Sequence, residues 1–362
     1  MSTTVVNPVP AARPRGADPA GPLPVLAVDL VTDPSLPGGL AELARGLEEA
    51  GAGALTLSDG GLHPIHVAAH LAPLTSTIGL LPRTDAIYVE PFHLATQLMS
   101  LDHISHGRAG WLLQAETDPA VAAAVGRTVL GLEATAREAA DVLVAARRVW
   151  DSWAPDAVVR DTERGVYVDA ARLQYTDIET ETFSVRGPAI TPRSPQGLLP
   201  ALVADTDRAA VGERVRGELA DGRVLDLDVS GGARAKQLAA RIEAARADGV
   251  GRAAADGATT DAADGADGAD RADGAAAVGA DGAATGTAGT VRLVRLVGLD
   301  LEADPLGTVA QLAADLRARG LIAPLPRQHA SLRSQLGLPP VPFRLDPARR
   351  SDRARLAPEE SA

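Results

Sequence analysis

Apolar positions along this chain alternate between short continuous runs and longer stripes spaced three and four apart, and that alternation lays out a series of strands and helices. Val25 to Val31 reads as the first strand, and Leu40, Leu43 and Leu47 share one face of a helix that stops at Gly51. Ala54 to Ser58 is the second strand, a helix begins near Pro64, and Thr77 to Leu81 is the third strand. Pro91 suits the first turn of the next helix, along which Phe92, Ala95, Leu98, Met99 and Leu101 recur at helical spacing. His106 and Gly107 punctuate, and Ala109 to Ala115 follows as a buried strand. Strand and helix repeated in this way predict a parallel sheet with helical crossovers.

A helix from about Glu133 to Trp153 comes next, and the region from about 156 to 200, rich in Val, Thr and turn residues at its start, reads as an insertion of extended excursions outside the repeat. Ala201 to Ala204 restarts the pattern as strand five, with a helix from Arg208 to Ala220; Arg223 to Val229 is strand six, with a helix from Ala233 to Asp248. From Gly249 to Gly289 the chain repeats Gly, Ala and Asp, which bury too little apolar surface to offset their ordering entropy. The expectation there is a flexible acidic loop, without the register of a calcium-binding repeat. Val291 to Val297 is a last strand, and Leu306, Val309, Leu312 and Leu316 mark a helix ending at Gly320. The layout is a disordered lead-in (1–22), six strands with the insertion (23–248), the low-complexity loop (249–290), a final strand and helix (291–322), and a Pro- and Arg-rich tail over the surface (323–362). The fold class is α/β, a (β/α)8 TIM-type barrel, incomplete or distorted near its seventh strand because seven strands are visible where eight are needed.

Composition narrows this picture. An aromatic share of 2% within a hydrophobic share of 46% means a core of Ala, Val and Leu, hence small and closely packed helices. No cysteine is present, so disulfides, thiolate metal sites and cysteine nucleophiles are excluded. A net charge of -12 argues against a nucleic-acid partner. No apolar run approaches the roughly 20 residues that cross a bilayer, and a cytoplasmic protein is expected.

The stretch Glu90 to Trp111, EPFHLATQLMSLDHISHGRAGW, resembles the luciferase-like flavin-dependent monooxygenases, in particular the nitrilotriacetate and dibenzothiophene-sulfone monooxygenase branch, whose pattern is roughly EPYHLARxxxSLDHLSxGRxGWN. Three further landmarks are similar to that branch and stand in the same order: RVWDSWAPDA (148–157), FSVRGPAITPRSPQG (183–197) and LRSQLGLP (332–339). The resemblance implies a barrel, usually dimeric, that takes reduced FMN from a separate NAD(P)H-dependent flavin reductase and uses oxygen to oxidise a small organic substrate. It implies flavin-facing groups at the C-terminal strand ends, where Asp59, Thr84, Gln114 and Thr206 stand, with Arg83 near phosphate or substrate. No catalytic acid or base is implied, because the flavin carries the oxygen transfer and the protein orients and excludes water.

The chain departs from the pattern at those same strand ends. Leu112 replaces the expected Asn, Ala115 and its neighbours replace Val-Thr-Ser, and Ala136 stands where a tyrosine is expected. Ala204-Asp205-Thr206-Asp207-Arg208 replaces Gln-Ala-Gly-Ser-Ser, a phosphate-cradling loop. Two carboxylates there suit a helix dipole but repel a phosphate, with Arg83 or Arg208 as partial compensation. Two readings therefore stand: an FMN-dependent monooxygenase, or a non-catalytic paralogue that keeps the barrel for binding or dimerisation; deazaflavin use is a third. His63, His66 and His70, at i, i+3 and i+7, share a helix face, and packing or surface roles are favoured over zinc. No Gly-rich nucleotide loop of the Rossmann or P-loop type follows any strand.

Overall fold

The computed structural model describes residues 21–36, 39–232, 234–260 and 288–349. Strands β1 (Val25–Thr32), β2 (Ala54–Asp59), β3 (Gly79–Asp85) and β4 (Trp111–Gln114) alternate with helices α1 (Leu40–Glu49), α2 (Pro64–Leu71) and α3 (Pro91–Ile104). After α4 (Pro119–Ala124) and α5 (Leu132–Trp150) come two antiparallel ladders, β5 (Val158–Asp161) with β6 (Val166–Val168) and β7 (Ile178–Glu179) with β8 (Ser184–Val185). The parallel pattern resumes with β9 (Ala201–Ala204), α6 (Arg208–Arg214), β10 (Gly222–Asp228), α7 (Ala235–Thr260), β11 (Val291–Val297) and α8 (Pro305–Ala318), and α9 (Leu332–Gln335) lies in the tail.

The parallel strands close into a barrel in the order β1-β11-β10-β9-β4-β3-β2. β10 pairs directly with β11, Asp226 opposite Arg295, and β11 with β1, so among the described residues the barrel closes on seven strands. This matches the expectation of a TIM-type barrel with seven visible strands; α7 follows β10, and residues 261–287, where the flexible acidic loop was expected, lie outside the described residues. β3 runs beyond Leu81, past Pro82, to Asp85. Pairing with β2 ends at Leu57 opposite Pro82 and pairing with β4 is regular from Arg83, so the proline sits at a handover where its missing N–H is tolerated. α7 continues past Asp248 to Thr260. Among the described residues no helix is long and apolar enough to cross a membrane.

Strand alternation divides the core in two. Leu26, Val28, Leu30, Leu55 and Leu57 face the helices, whereas Val25, Ala27, Leu81, Leu112, Leu202 and Leu293 fill the barrel. Part of the tail does not lie over the surface: Leu332, Leu336 and Leu338 join the interior cluster and plug the N-terminal end of the barrel. Glycine makes that slot, since a Cβ at Gly79 or at Gly110 would come within 2.7 Å of a Leu332 methyl.

The landmark segments meet around this plug. Asp102, fully buried, accepts from the Ser194 hydroxyl, from Gln196 Nε2 at 2.6 Å and from the Ala109 N–H at 3.1 Å. Gln196 Oε1 in turn accepts from the Arg333 N–H at 2.7 Å, and Arg193 pairs with Asp151. The Arg108 guanidinium is spent on the carbonyls of Ala72, Thr75 and Ile78. The motifs that carry the resemblance are thus a buried hydrogen-bond network at the end of the barrel opposite its ligand-facing mouth, where satisfied polar groups fix one packing.

Candidate functional site

Polar residues begin one layer above Leu112. On β1 the Asp29 carboxylate accepts from Thr56 Oγ1 at 2.6 Å and Ser58 Oγ at 3.0 Å, both on β2. Arg295 on β11 reaches Asp226 at 2.7 Å and Asp29 at 3.5 Å, and Thr206 Oγ1 donates to Asp226 at 3.1 Å. Arg83 on β3 spans the mouth and holds Asp207 with two hydrogen bonds, at 3.0 and 2.6 Å. Burial opposes the charge on Arg83, but its bonds to Asp207 and the fields of Asp207, Asp29 and Asp226 outweigh it and raise its pKa. Asp205 takes a matching pair of bonds from Arg223. That pair lies on the helix-facing side of β10, where Arg223 also reaches Asp248 of α7, whereas the contacts of Arg83 and Arg295 give the barrel mouth a lattice of ion pairs.

A cavity of about 570 Å³ lies at the C-terminal ends of β2, β3 and β4, between the starts of α2 and α3 and the helix α4. Strand ends collect here because every strand in a parallel barrel points its C-terminus to the same face. Asp59, Arg83, Thr84 and Gln114, four of the five residues singled out from sequence, line it together. Thr206 does not, since it stands across the mouth on Asp226. Arg83 lines the cavity with its guanidinium already engaged by Asp207. Gln114 Nε2 donates to Glu116 at 3.1 Å, and Asp59 accepts from the Gly61 N–H at 2.8 Å.

Residues outside those five complete the lining. Asp85 takes the N–H groups of Ile87, Tyr88 and Glu116 at 2.8–3.0 Å, yet burial pushes its carboxyl above the ordinary range against the pull of those donors. Glu116 and Glu90 add two further carboxylates. His63 and His66 stack at 4.7 Å, and His93, not His70, is the third imidazole of the cavity. Burial, with His66 and His93 nearby, lowers the pKa of His63 against the pull of Asp59. Among the described residues no group of three His, Asp or Glu stands in an arrangement that holds a metal. Thr84, 8% exposed, and Tyr88 each carry a buried hydroxyl with no hydrogen-bond partner. One available signal for the mouth lattice was Arg295, one of two charges, with Arg292, inside the apolar run VRLVRLV.

The departures at Leu112 and Ala136 have structural causes. Leu112 is fully buried in the barrel interior, below the cavity, against Leu81 and Leu202 in the same apolar cluster. Ala136 on α5 faces Gly212, whose φ of 77° breaks α6, and a Cβ built on Gly212 would lie 2.4 Å from that of Ala136. Two small residues let the helices touch there, and a tyrosine at 136 has no room.

Comparison with known proteins fits this geometry. The family model described as Luciferase-like monooxygenase matches residues 26–260. The chain is 36% identical over 170 residues to a dibenzothiophene-sulfone monooxygenase of Rhodococcus erythropolis, covering 45% of this chain and 36% of that protein. It is 33% identical over 181 residues to nitrilotriacetate monooxygenase component A of Aminobacter aminovorans, covering 47% and 40% respectively. The matches thus span well under half the length of these relatives. A solved long-chain alkane monooxygenase superposes with a TM-score of 0.61 at 17% identity, over 87% of this chain and 95% of that one, which speaks to the fold. With the family match running from β1 to the end of α7, the chain belongs to the luciferase-like monooxygenase family.

Proposed function

We propose that this chain is a flavin-dependent monooxygenase that oxidises a small organic substrate with reduced FMN and oxygen, the flavin being reduced by a separate NAD(P)H-dependent reductase in the cytoplasm. The observation that carries the reading is the cavity at the C-terminal ends of β2, β3 and β4, whose lining includes Asp59, Arg83, Thr84 and Gln114. Reduced flavin, when bound, supplies the oxygen-activating chemistry. The chain's own groups fit its ring edge: Gln114 and Thr84 offer polar groups in the lining, and Leu94, Val121 and Val125 add apolar surface. They do not fit its phosphate in the same way, because Asp205 and Asp207 hold Arg223 and Arg83. A two-component arrangement follows the naming of nitrilotriacetate monooxygenase component A, and a homodimer is proposed with it.

Those carboxylates favour the second reading, a non-catalytic paralogue that keeps the barrel as a binding or dimerisation module. Anaerobic titration of the purified chain with reduced FMN separates the two, read as a change in flavin fluorescence or absorbance. Saturation at tens of micromolar or below supports the enzyme; no binding in that range sinks it. The same titration with reduced deazaflavin tests the remaining cofactor.

A further inference from the structure

We infer that the cavity at the ends of β2–β4 selects an organic cation, a protonated amine carrying apolar substituents. This rests on the reading of that cavity as the substrate site and names its substrate class. Four carboxylates line it, those of Asp59, Asp85, Glu90 and Glu116, against one guanidinium, Arg83, which Asp207 already holds. The groups that would receive an anion are spent. At the start of α3, Glu90 itself accepts the N–H groups of Phe92 at 3.2 Å and His93 at 2.5 Å. At the start of α2, the N–H groups of His66 and Val67 go to the His63 carbonyl at 3.0 and 3.2 Å. The α3 terminus, of a kind that elsewhere attracts anions, is here capped by a carboxylate of the chain itself.

Apolar side chains share the lining. Val89, Val121 and Val125 line the cavity while 36%, 39% and 52% exposed, an arrangement that suits the body of an amphiphile rather than a free solvent face. Among the lining residues Thr84, more than nine-tenths buried, carries a buried hydroxyl with no partner, and Tyr88 a second. A hydroxyl lone pair accepts from an N–H as readily as a carboxylate oxygen does, so these atoms complement a donor-rich, acceptor-free headgroup. An ammonium ion is such a headgroup.

The test is calorimetric titration of the full chain at pH 8 with three probes of one shape: benzylammonium, benzyl alcohol and benzoate. One solvated ion contact is worth roughly fivefold in affinity, and more where water is excluded, so benzylammonium should bind about tenfold more tightly than benzyl alcohol. Benzoate should be weakest, and raising the salt should shrink the spread. Glu116→Gln retains an acceptor for the Thr117 and Asp118 N–H groups and should lower the ratio of cation to alcohol affinity. Equal binding of the three probes, a preference for benzoate, or no binding of any of them overturns the inference. Reduced FMN is titrated in parallel: flavin bound without a preference for the amine leaves the enzyme reading standing and removes this one, whereas failure of flavin and all probes removes both.

Discussion

Replacing Asp207 with alanine asks whether the ion pair across the barrel mouth controls what the cavity accepts. Asp207 is 8% exposed and takes two hydrogen bonds from Arg83, which is 23% exposed. Cutting one side of a fully buried pair costs about 3–5 kcal/mol because the remaining charge is left unpaired. Arg83 keeps part of its surface in water and still feels Asp29 and Asp226, so the loss here is smaller, about 1–3 kcal/mol. The thermal midpoint should therefore fall by several degrees. The freed guanidinium faces the cavity, so an anion that the native chain rejects gains about fivefold to tenfold in affinity. Scanning fluorimetry with and without inorganic phosphate reads both effects: phosphate should leave the native midpoint unmoved and raise that of the variant. Asp207→Asn keeps the shape and one acceptor while removing the charge, and should lie between the two. A variant as stable as the native chain and equally indifferent to phosphate would refute the argument that Asp207 occupies Arg83.

The remaining expectations concern the scaffold and its pH dependence. Leu112→Asn should not improve flavin binding but should destabilise the chain by about 2–4 kcal/mol, seen as a lowered chemical-denaturation midpoint, because it buries an amide within an apolar cluster. Gly79→Ala drives a Cβ to within 2.7 Å of Leu332 and should cost about 1–3 kcal/mol, Leu332→Ala alone about 2–5, and the double variant less than their sum, with additivity refuting the contact. Burial opposes ionisation of Glu48, but bonds from Thr77, Ile78 and Ser76 prevail and lower its pKa. Its contribution to stability is therefore present above the ordinary glutamate range and lost as pH falls from about 5 through the lowered value; Glu48→Gln should flatten that acid limb of the stability curve.

Local order was legible in the sequence because local rules fix it. The periodicity that marks Val25–Val31 as a strand and Leu40, Leu43 and Leu47 as a helix face acts over a few residues, and the structure has both elements in place. The same holds for the landmark segments, whose residue types identify the family on their own. Their job was not legible: Asp102, Ser194, Gln196 and Arg333 lie far apart in the chain and become one network only when the tail enters the barrel. Four of the five residues singled out from sequence line one cavity because strand ends in a parallel barrel share a face, a rule that needs no coordinates. Thr206 escaped it because which side of the mouth stays open depends on side chains from five strands and the loop after β9. Asp205 and Asp207 read from sequence as charges that repel a phosphate, and in the structure each is a partner to an arginine from another strand. The sequence by itself thus determined the barrel class, its strand ends and its ancestry, through patterns that are short in range. Closure on seven strands, the plug of Leu332, Leu336 and Leu338, and the acidic cavity beside an ion-paired mouth were decided by tertiary structure, because long-range pairing settles which charges are spent and which remain for a ligand.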